Sequence, residues 1–291
     1  MIVNNKIETN VRKTLKKIGI NKHRSVSSKL QNKGGKDKIL VALSGGKDST
    51  LTAYLLKKFG YNIEGFHMDL KIGGYSEKCL SAVRELCKML DIRLHLYDIK
   101  NEMGSGMCYL RSVVQTKNKK EGKNALKNCA ICGVIKKWIM NQEARKLKAK
   151  YIATGHNLDD EAQTFLMNIL KGSPKLSANS GAITQNAPDK KFIPRIKPLF
   201  YVLENDIREH TQKLKLPVVY EKCPCSLDSY RITLRKFLNT LSEKDKENIV
   251  KNFDRVSGKM GEMKGKDLNY CEICGEPSRK EICKKCELLK I

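Results

Sequence analysis

Short apolar runs alternate with longer stretches of helical spacing along much of this chain. Lys38 to Leu43 is an apolar run that ends in Ser-Gly-Gly, and Ser49 to Phe59 behind it has helical spacing. Tyr61 to Leu70 reads as a strand. Ser76 to Leu90 reads as a helix, with Leu80, Val83, Leu86, Cys87 and Leu90 as its apolar positions. Arg93 to Ile99 is strand-like, Cys129 to Leu147 helical, Tyr151 to Thr154 a strand and Leu158 to Leu170 a helix. This β-α-β-α order predicts an α/β fold whose parallel sheet is covered on both faces. Ligands of such sheets sit at the carboxyl ends of the strands. Gly172 to Lys191, rich in Ser, Asn, Gly, Ala and Pro with no period, predicts a mobile loop or lid. A strand, loop and helix follow from Ile193 to Leu214, and Ser229 to about Met260 reads as mostly helical and basic. No internal repeat is present. The expected division is a basic arm at 1–37, a catalytic domain at 38–235, a basic helical segment at 236–268 and a cysteine module at 269–291.

Charge adds a partner to this picture. The 291 residues hold 57 Lys and Arg against 31 Asp and Glu, a net charge of +26. Apolar residues at 40% and charged ones at 30% exclude wholesale disorder. No apolar run approaches the roughly 18 residues of a membrane span. Met1 to Thr9 lacks the apolar core of a secretory signal, so a soluble cytoplasmic protein is expected. So large a positive excess repels itself, and phosphate contacts of nucleic acid are its natural use. The bland alternative is general solubility of a Lys-rich chain. Residues 1 to 38 carry eleven Lys or Arg against Glu8 and Asp37. Val11, Leu15 and Ile18 there have helical spacing; a disordered leader is the alternative.

Leu43-Ser44-Gly45-Gly46-Lys47-Asp48-Ser49 joins a buried strand to a helix. Its glycines let the backbone bend and approach a ligand closely. Helix amides, the helix dipole, Lys47 and the hydroxyls of Ser44 and Ser49 together make an anion cradle. The spacing is not that of a Walker A loop. His67 and Asp69 end the second strand on the ligand edge. Gly155-His156-Asn157-Leu158-Asp159-Asp160-Glu161 joins a later strand to a helix. Paired carboxylates there can hold Mg²⁺, or Asn157 or Asp159 can simply cap the helix.

Eleven cysteines are many for a chain expected in a reducing compartment, so metal or redox chemistry is expected over disulfides. Cys129-Ala130-Ile131-Cys132 opens a predicted helix, with Lys136 and Lys137 one turn on. That setting favours thiolate. Half a zinc site, a redox pair and an iron–sulfur ligand set all fit it. Cys223-Pro224-Cys225 supplies further sulfur. Cys79, Cys87 and Cys108 show no pairing pattern and read as ordinary thiols. Cys271-x-x-Cys274, eight residues, then Cys283-x-x-Cys286 is a zinc pattern of two knuckles around one ion. A tail so short has no core of its own, so the metal would supply it. With four sulfurs the site is closed and structural.

Ser-Gly-Gly-Lys-Asp-Ser after a strand resembles the signature of PP-loop ATP pyrophosphatases, and Gly155 to Asp160 resembles that family's second motif. The resemblance implies cleavage of ATP between its α- and β-phosphates and adenylation of a substrate oxygen, with ATP held at Ser44, Gly45, Gly46, Lys47, Asp48, Ser49, His67, Asp69, Gly155 and His156. Further pieces match the TtcA/TtuA group of tRNA-thiolating PP-loop enzymes. They are Gly74-Tyr75-Ser76, Cys129-x-x-Cys132-Gly133 with Lys136, Pro194 to Leu199, and Glu221-Lys222-Cys223-Pro224. Matches run from Ile39 to about Arg235 and include the tail. They imply a [4Fe–4S] cluster on Cys129, Cys132 and Cys223, catalytic roles for Lys136 and Asp160, and tRNA as substrate. A homodimer and a sulfur donor, inorganic sulfide or a ubiquitin-like thiocarboxylate protein, are also implied. Three cysteines leave one iron open for sulfur. Cys225 departs from the group's pattern and could replace Cys223 or join it as a fourth ligand. The group's second zinc module, at the N-terminus, finds no cysteine in residues 1 to 38 and only His23, so the basic arm would take over RNA docking.

Three rival readings fit the same residues. One is a cluster-free persulfide and disulfide cycle on Cys129 and Cys132. Another is a PP-loop amine-transferring ligase, which needs none of these cysteines. The last is a non-catalytic zinc-ribbon RNA-binding protein.

Overall fold

The computed structural model describes residues 5–20, 37–122, 126–184, 189, 191–226, 230–262 and 269–289. Five parallel strands form the central sheet: β1 (Ile39–Ala42), β2 (Ile63–Asp69), β3 (Leu94–Asp98), β4 (Tyr151–Ala153) and β5 (Arg195–Ile196). Their order is β3-β2-β1-β4-β5. The chain therefore winds outward one way from β1 and the other way from β4. The crevice between the carboxyl ends of these two strands is where such a sheet binds its ligand.

Helices cover both faces, as the apolar runs require. α1 (Asn5–Lys17), α2 (Lys47–Lys58) and α3 (Gly73–Met89) come first. α4 (Ile99–Met103), α5 (Met107–Lys120), α6 (Asn128–Lys146), α7 (Leu158–Leu170) and α8 (Glu204–Lys213) follow. One core joins Ile39 and Val41 of β1 to Leu51 and Leu55 of α2, Phe59 just after it and Ile207 of α8. A second, on the other face, joins Leu40 and Phe66 to Ile131, Ile135 and Ile139 of α6. Each of these large side chains contributes about 1.5–3 kcal/mol on burial.

The structure corrects several expectations. α1 is no free arm: Ile7, Val11 and Leu15 are fully buried in the first core, and Lys17 bonds Asp254 at 2.7 Å. Residues 21–36, including His23, lie outside the described residues. The pattern assigned no element between Ile99 and Cys129, where α4 and α5 form. The inward face of α5 is Met107, Arg111 and Val114, and a buried arginine breaks its apolar period. The loop expected from Gly172 begins as a 3₁₀ helix (Pro174–Asn179) packed on α7, with Ser177 buried and bonded by Asn168. The basic segment from Ser229 is α9 (Tyr230–Leu238) and α10 (Glu243–Glu262), both packed on α7. Phe253 stacks on Phe165 of α7 at 3.7 Å, and the composition boundary at 235 falls within α9. The tail holds a two-stranded ribbon, β6 (Asn269–Tyr270) and β7 (Pro277–Ser278), and α11 (Lys284–Leu289). α11 rests on α6, with Leu288 in the second core.

Candidate active site

The loop after β1 turns tightly into α2. Gly45 has φ +81, and a Cβ there would stand 2.9 Å from the Cys79 Cα. Only glycine takes this conformation without strain and leaves the turn open. The Ser49 hydroxyl holds the loop shape: it accepts from the Ser44 amide at 3.1 Å and donates to the Gly46 carbonyl at 3.0 Å. The amides that start α2 are then free to hold an anion. Gly155, at the end of β4, lies against this helix start. A Cβ on it would meet Ser49 N at 2.6 Å and Asp48 C at 2.7 Å. Two motifs far apart in sequence thus form one pocket edge.

Asn157 joins them. Its Nδ2 donates to Asp48 Oδ1 at 2.9 Å, and its Oδ1 accepts from the Asp160 amide at 3.0 Å. Asn157 and Asp160 form a full capping box on α7, so the capping reading is realised alongside any ligand role. Burial pushes the Asp48 carboxyl up, Lys47 and Asn157 oppose that push, and the charge of Asp160 adds to it. Asp48 and Asp160 are therefore neighbouring carboxylates, a donor pair of the type Mg²⁺ accepts. Asp159 and Glu161 are committed elsewhere. Asp159 takes the Glu204 amide and Lys246, and Glu161 takes Lys197 at 2.7 Å.

Lys47 bonds Asp48 Oδ2 and Glu204 Oε1, each at 2.9 Å. Arg235 on α9 bonds Asp160 Oδ1 at 2.7 Å and also Glu204. Glu204 thus occupies the two cations nearest the phosphate loop. Neither Glu204 nor Arg235 was found by sequence reasoning. Each sits on an ordinary amphipathic helix with no motif around it.

A second group of cations faces His156. Lys136, Lys137, Lys197 and Arg231 all act on this ring and, with its desolvation, hold it below the ordinary histidine range. Desolvation and the charges of Arg195, Lys197, Arg231 and Lys136 lower Lys137. Burial lowers Arg195 to about 10, and its Nε has no partner. So many like charges around one ring suit a polyanion. His67 is buried, with Nδ1–H donating to the Leu43 carbonyl at 2.9 Å. Its Nε2 is a buried acceptor without a partner, and burial keeps the ring neutral. Asp69 accepts from Lys71 at 2.7 Å and is tied to that pair.

The central cysteines gather at the start of α6. Burial raises the Cys132 thiol, Lys136 and Arg111 oppose this, and Cys129 and Cys225 add to it. Burial likewise raises Cys223, which is hydrogen-bonded to Cys225 and feels Cys132. Cys129, Cys132, Cys223 and Cys225 thus share one region, half-buried apart from exposed Cys129. Soft thiolate donors of this kind suit an iron–sulfur cluster. In the tail, the sulfurs of Cys271, Cys274, Cys283 and Cys286 all lie within 4.8 Å of one another. The Cys283 amide donates to Cys271 Sγ at 3.2 Å, and Gly275 has φ +65 after the first knuckle. Four converging thiols fit one tetrahedral Zn²⁺.

Residues 20–241 match the family model of the PP-loop domain. The chain belongs to the PP-loop family. Its relatives include proteins of tRNA thiolation. It is 38% identical over 255 residues to the tRNA-5-methyluridine(54) 2-sulfurtransferase of Pyrococcus horikoshii, covering 86% of this chain and 78% of that one. It is 33% identical over 268 residues to the tRNA 2-thiolation protein NcsA of Haloferax volcanii, covering 86% and 81%. The solved structure of the U34-tRNA thiolase NcsA from Methanococcus maripaludis with its [4Fe–4S] cluster superposes with a TM-score of 0.73 at 28% identity, over 98% of this chain and 86% of that one. In this chain Lys136 acts on both Cys132 of the cysteine group and His156 of the Gly155–Asp160 motif.

Proposed function

We propose that this protein is an ATP-dependent tRNA uridine 2-sulfurtransferase that works by adenylation and sulfur substitution. The observation that carries this reading is Lys136. It stands four residues from Cys132 on α6 and within charge range of both that thiol and His156 of the nucleotide motif. A base placed at Lys136 has His156 of the Gly155–Asp160 motif on one side and the Cys132 thiol on the other.

ATP binds with its phosphates on the Ser44 to Ser49 loop, while Asp48 and Asp160 would hold Mg²⁺. The uridine O2 attacks the α-phosphorus and pyrophosphate leaves. Lys47 and Lys136 offset charge that develops on the phosphates. Sulfide sulfur then adds at C2, and AMP departs with the former O2. The reacting base is flipped out of its stack to reach the cleft, and the cations around His156 bind the flanking phosphates. Cys129, Cys132 and Cys223 would hold a [4Fe–4S] cluster, which supplies an open iron for exogenous sulfur. Cys225 bonds Arg111 at 2.9 Å, which supports Cys223 as the third ligand. The tail cysteines would hold a structural zinc. The sulfur donor in this reading is inorganic sulfide or a ubiquitin-like thiocarboxylate protein. The protein acts as a cytoplasmic homodimer, for which exposed Ile169, Leu170 and Leu176 offer an apolar surface. No helix among the described residues is long and apolar enough to cross a membrane.

Anaerobic purification with metal and sulfide analysis tests this. About four irons, four acid-labile sulfides and one zinc per chain, with iron lost in Cys129→Ala, are expected. Zinc alone after reconstitution with iron and sulfide would overturn the cluster and leave the persulfide cycle. Thiolated tRNA and AMP are read in parallel. Equal tRNA-dependent AMP formation by the unaltered protein and Cys129→Ala, with thiolated tRNA from neither, would favour amine transfer.

A further inference from the structure

Arg111 is a buried arginine on α5, only 6% exposed, and no catalytic step above assigns it a role. Its Nη2 donates to two sulfurs at once, Cys108 at 3.0 Å and Cys225 at 2.9 Å. The two sulfurs are therefore no more than about 6 Å apart, and a disulfide between them requires the side chains to turn toward each other until the sulfurs stand about 2 Å apart. Arg111 Nε is buried with no partner, a donor left over for another anion. The two thiols differ in access. Cys108 is exposed, next to Tyr109 at 63% exposure, whereas Cys225 is half-buried and hydrogen-bonded to Cys223. Cys225 also acts on Cys132. The sulfurs thus run from the surface at Cys108, through Cys225, to the Cys132 and Cys223 group.

We propose that Cys108 and Cys225 are a sulfur-relay pair, clamped by Arg111, that takes sulfane sulfur from a persulfide or polysulfide and releases it as hydrosulfide beside Cys132 and Cys223. This rests on the thiolation reading and adds a class of sulfur donor to it. The Cys108 thiolate attacks the donor's terminal sulfur. The donor's S–S bond breaks, a persulfide forms on Cys108, and the donor leaves as its thiolate. Cys225 then attacks Cys108 Sγ. A Cys108–Cys225 disulfide forms, and the terminal sulfur leaves with the bonding electron pair as hydrosulfide. Two thiolates are oxidised and one sulfane sulfur is reduced to sulfide, so the electrons balance. The free Arg111 donor offsets the charge of the departing anion. A dithiol reductant resets the pair by exchange.

The test uses the anaerobically purified full chain with inorganic polysulfide as the probe and no ATP or tRNA. Hydrosulfide release is timed, and peptides are mapped by mass. In the unaltered protein a Cys108–Cys225 disulfide is expected to accumulate as hydrosulfide appears. Cys225→Ser should trap the extra sulfur on Cys108, and either Cys225→Ser or Cys108→Ser should slow release by at least about tenfold. Cys87→Ser, a buried thiol on α3, is the control and should change nothing. Unchanged release in both variants, or a disulfide mapped to Cys129 and Cys132 instead, would overturn the relay. Iron content and tRNA thiolation with inorganic sulfide are measured on the same unaltered sample. Failure of those readings counts against the thiolation reading, whereas hydrosulfide release reports on the relay alone.

Discussion

Asn157 Nδ2 lies 2.9 Å from Asp48 Oδ1, across 109 residues of sequence. The same side chain caps α7 through the Asp160 amide. One amide group therefore sets the distance between the phosphate loop and the carboxylate motif. Asn157→Ala removes both bonds. A stability loss of about 1–2 kcal/mol is expected from the cap. A larger effect is expected on turnover, since Asp48 and Asp160 lose their common reference. Thermal unfolding and tRNA-dependent AMP formation measure the two. Equal, small effects on both would show that Asn157 is only a cap.

Gly155→Ala puts a methyl against Ser49 N and Asp48 C, backbone atoms that cannot rotate away. The start of α2 must shift to admit it. ATP affinity is expected to fall at least about tenfold, by the loss of one or two charge-assisted bonds to phosphate. Far-UV circular dichroism should stay unchanged. Titration calorimetry with ATP reads this directly. Undiminished affinity would mean the loop yields without harm.

Glu204 pairs with both Lys47 and Arg235 in the free site. Phosphate must compete with it for these cations. Glu204→Gln is therefore expected to tighten pyrophosphate binding several-fold, in keeping with the roughly 1 kcal/mol scale of a partly exposed ion pair. The gain should shrink as salt rises. Weaker binding in the variant would show that Glu204 orients Lys47 and does not restrain it.

The C-terminal cysteine module is docked through charge. Glu276, buried on its β6–β7 turn, accepts from Asn141 at 3.0 Å, Gln142 at 3.3 Å and Arg145 on α6. Burial pushes this carboxyl up, but the bonds from Arg145 and Asn141 win and hold it below its ordinary 4.5. The ionised form is the one folding favours. Its contribution is full above the ordinary value and is lost as pH falls through the lowered folded value. Glu276→Gln should cost about 1–3 kcal/mol at neutral pH and flatten that acid limb of stability. Denaturant titrations across pH check the sign. A variant with the same acid limb would place the loss at other groups.

Metal removal has an internal reporter. Trp138, the chain's one tryptophan, packs against the tail cysteines, with Lys285 over its ring at 4.2 Å. The buried apolar cluster of the module is Cys271, Cys283 and Cys286. Chelation should therefore unfold residues 269–289 and change Trp138 fluorescence, reversibly on adding Zn²⁺. Unchanged fluorescence after confirmed zinc loss would mean that docking to α6 alone holds the tail.

Much of this could be read from the chain alone. Ser44 to Ser49, Gly155 to Asp160 and the two tail knuckles are local motifs. Their residues lie close together in sequence, so spacing alone singles them out as candidates. The β-α alternation likewise predicted the parallel sheet, because burial on both faces demands continuous apolar strands. Other features were decided only in three dimensions. Arg235 and Glu204 enter the site from α9 and α8, and Arg111 clamps Cys108, three residues before it, to Cys225, 114 residues after it, with no local pattern to announce it. α5 was invisible because its buried face carries that arginine. α1 was read as an arm because its basic residues outnumber the Ile7, Val11 and Leu15 stripe that the core covers. Sequence determined which groups could do chemistry. The fold determined which of them meet, because charge pairing and burial depend on distance in space and not on separation along the chain.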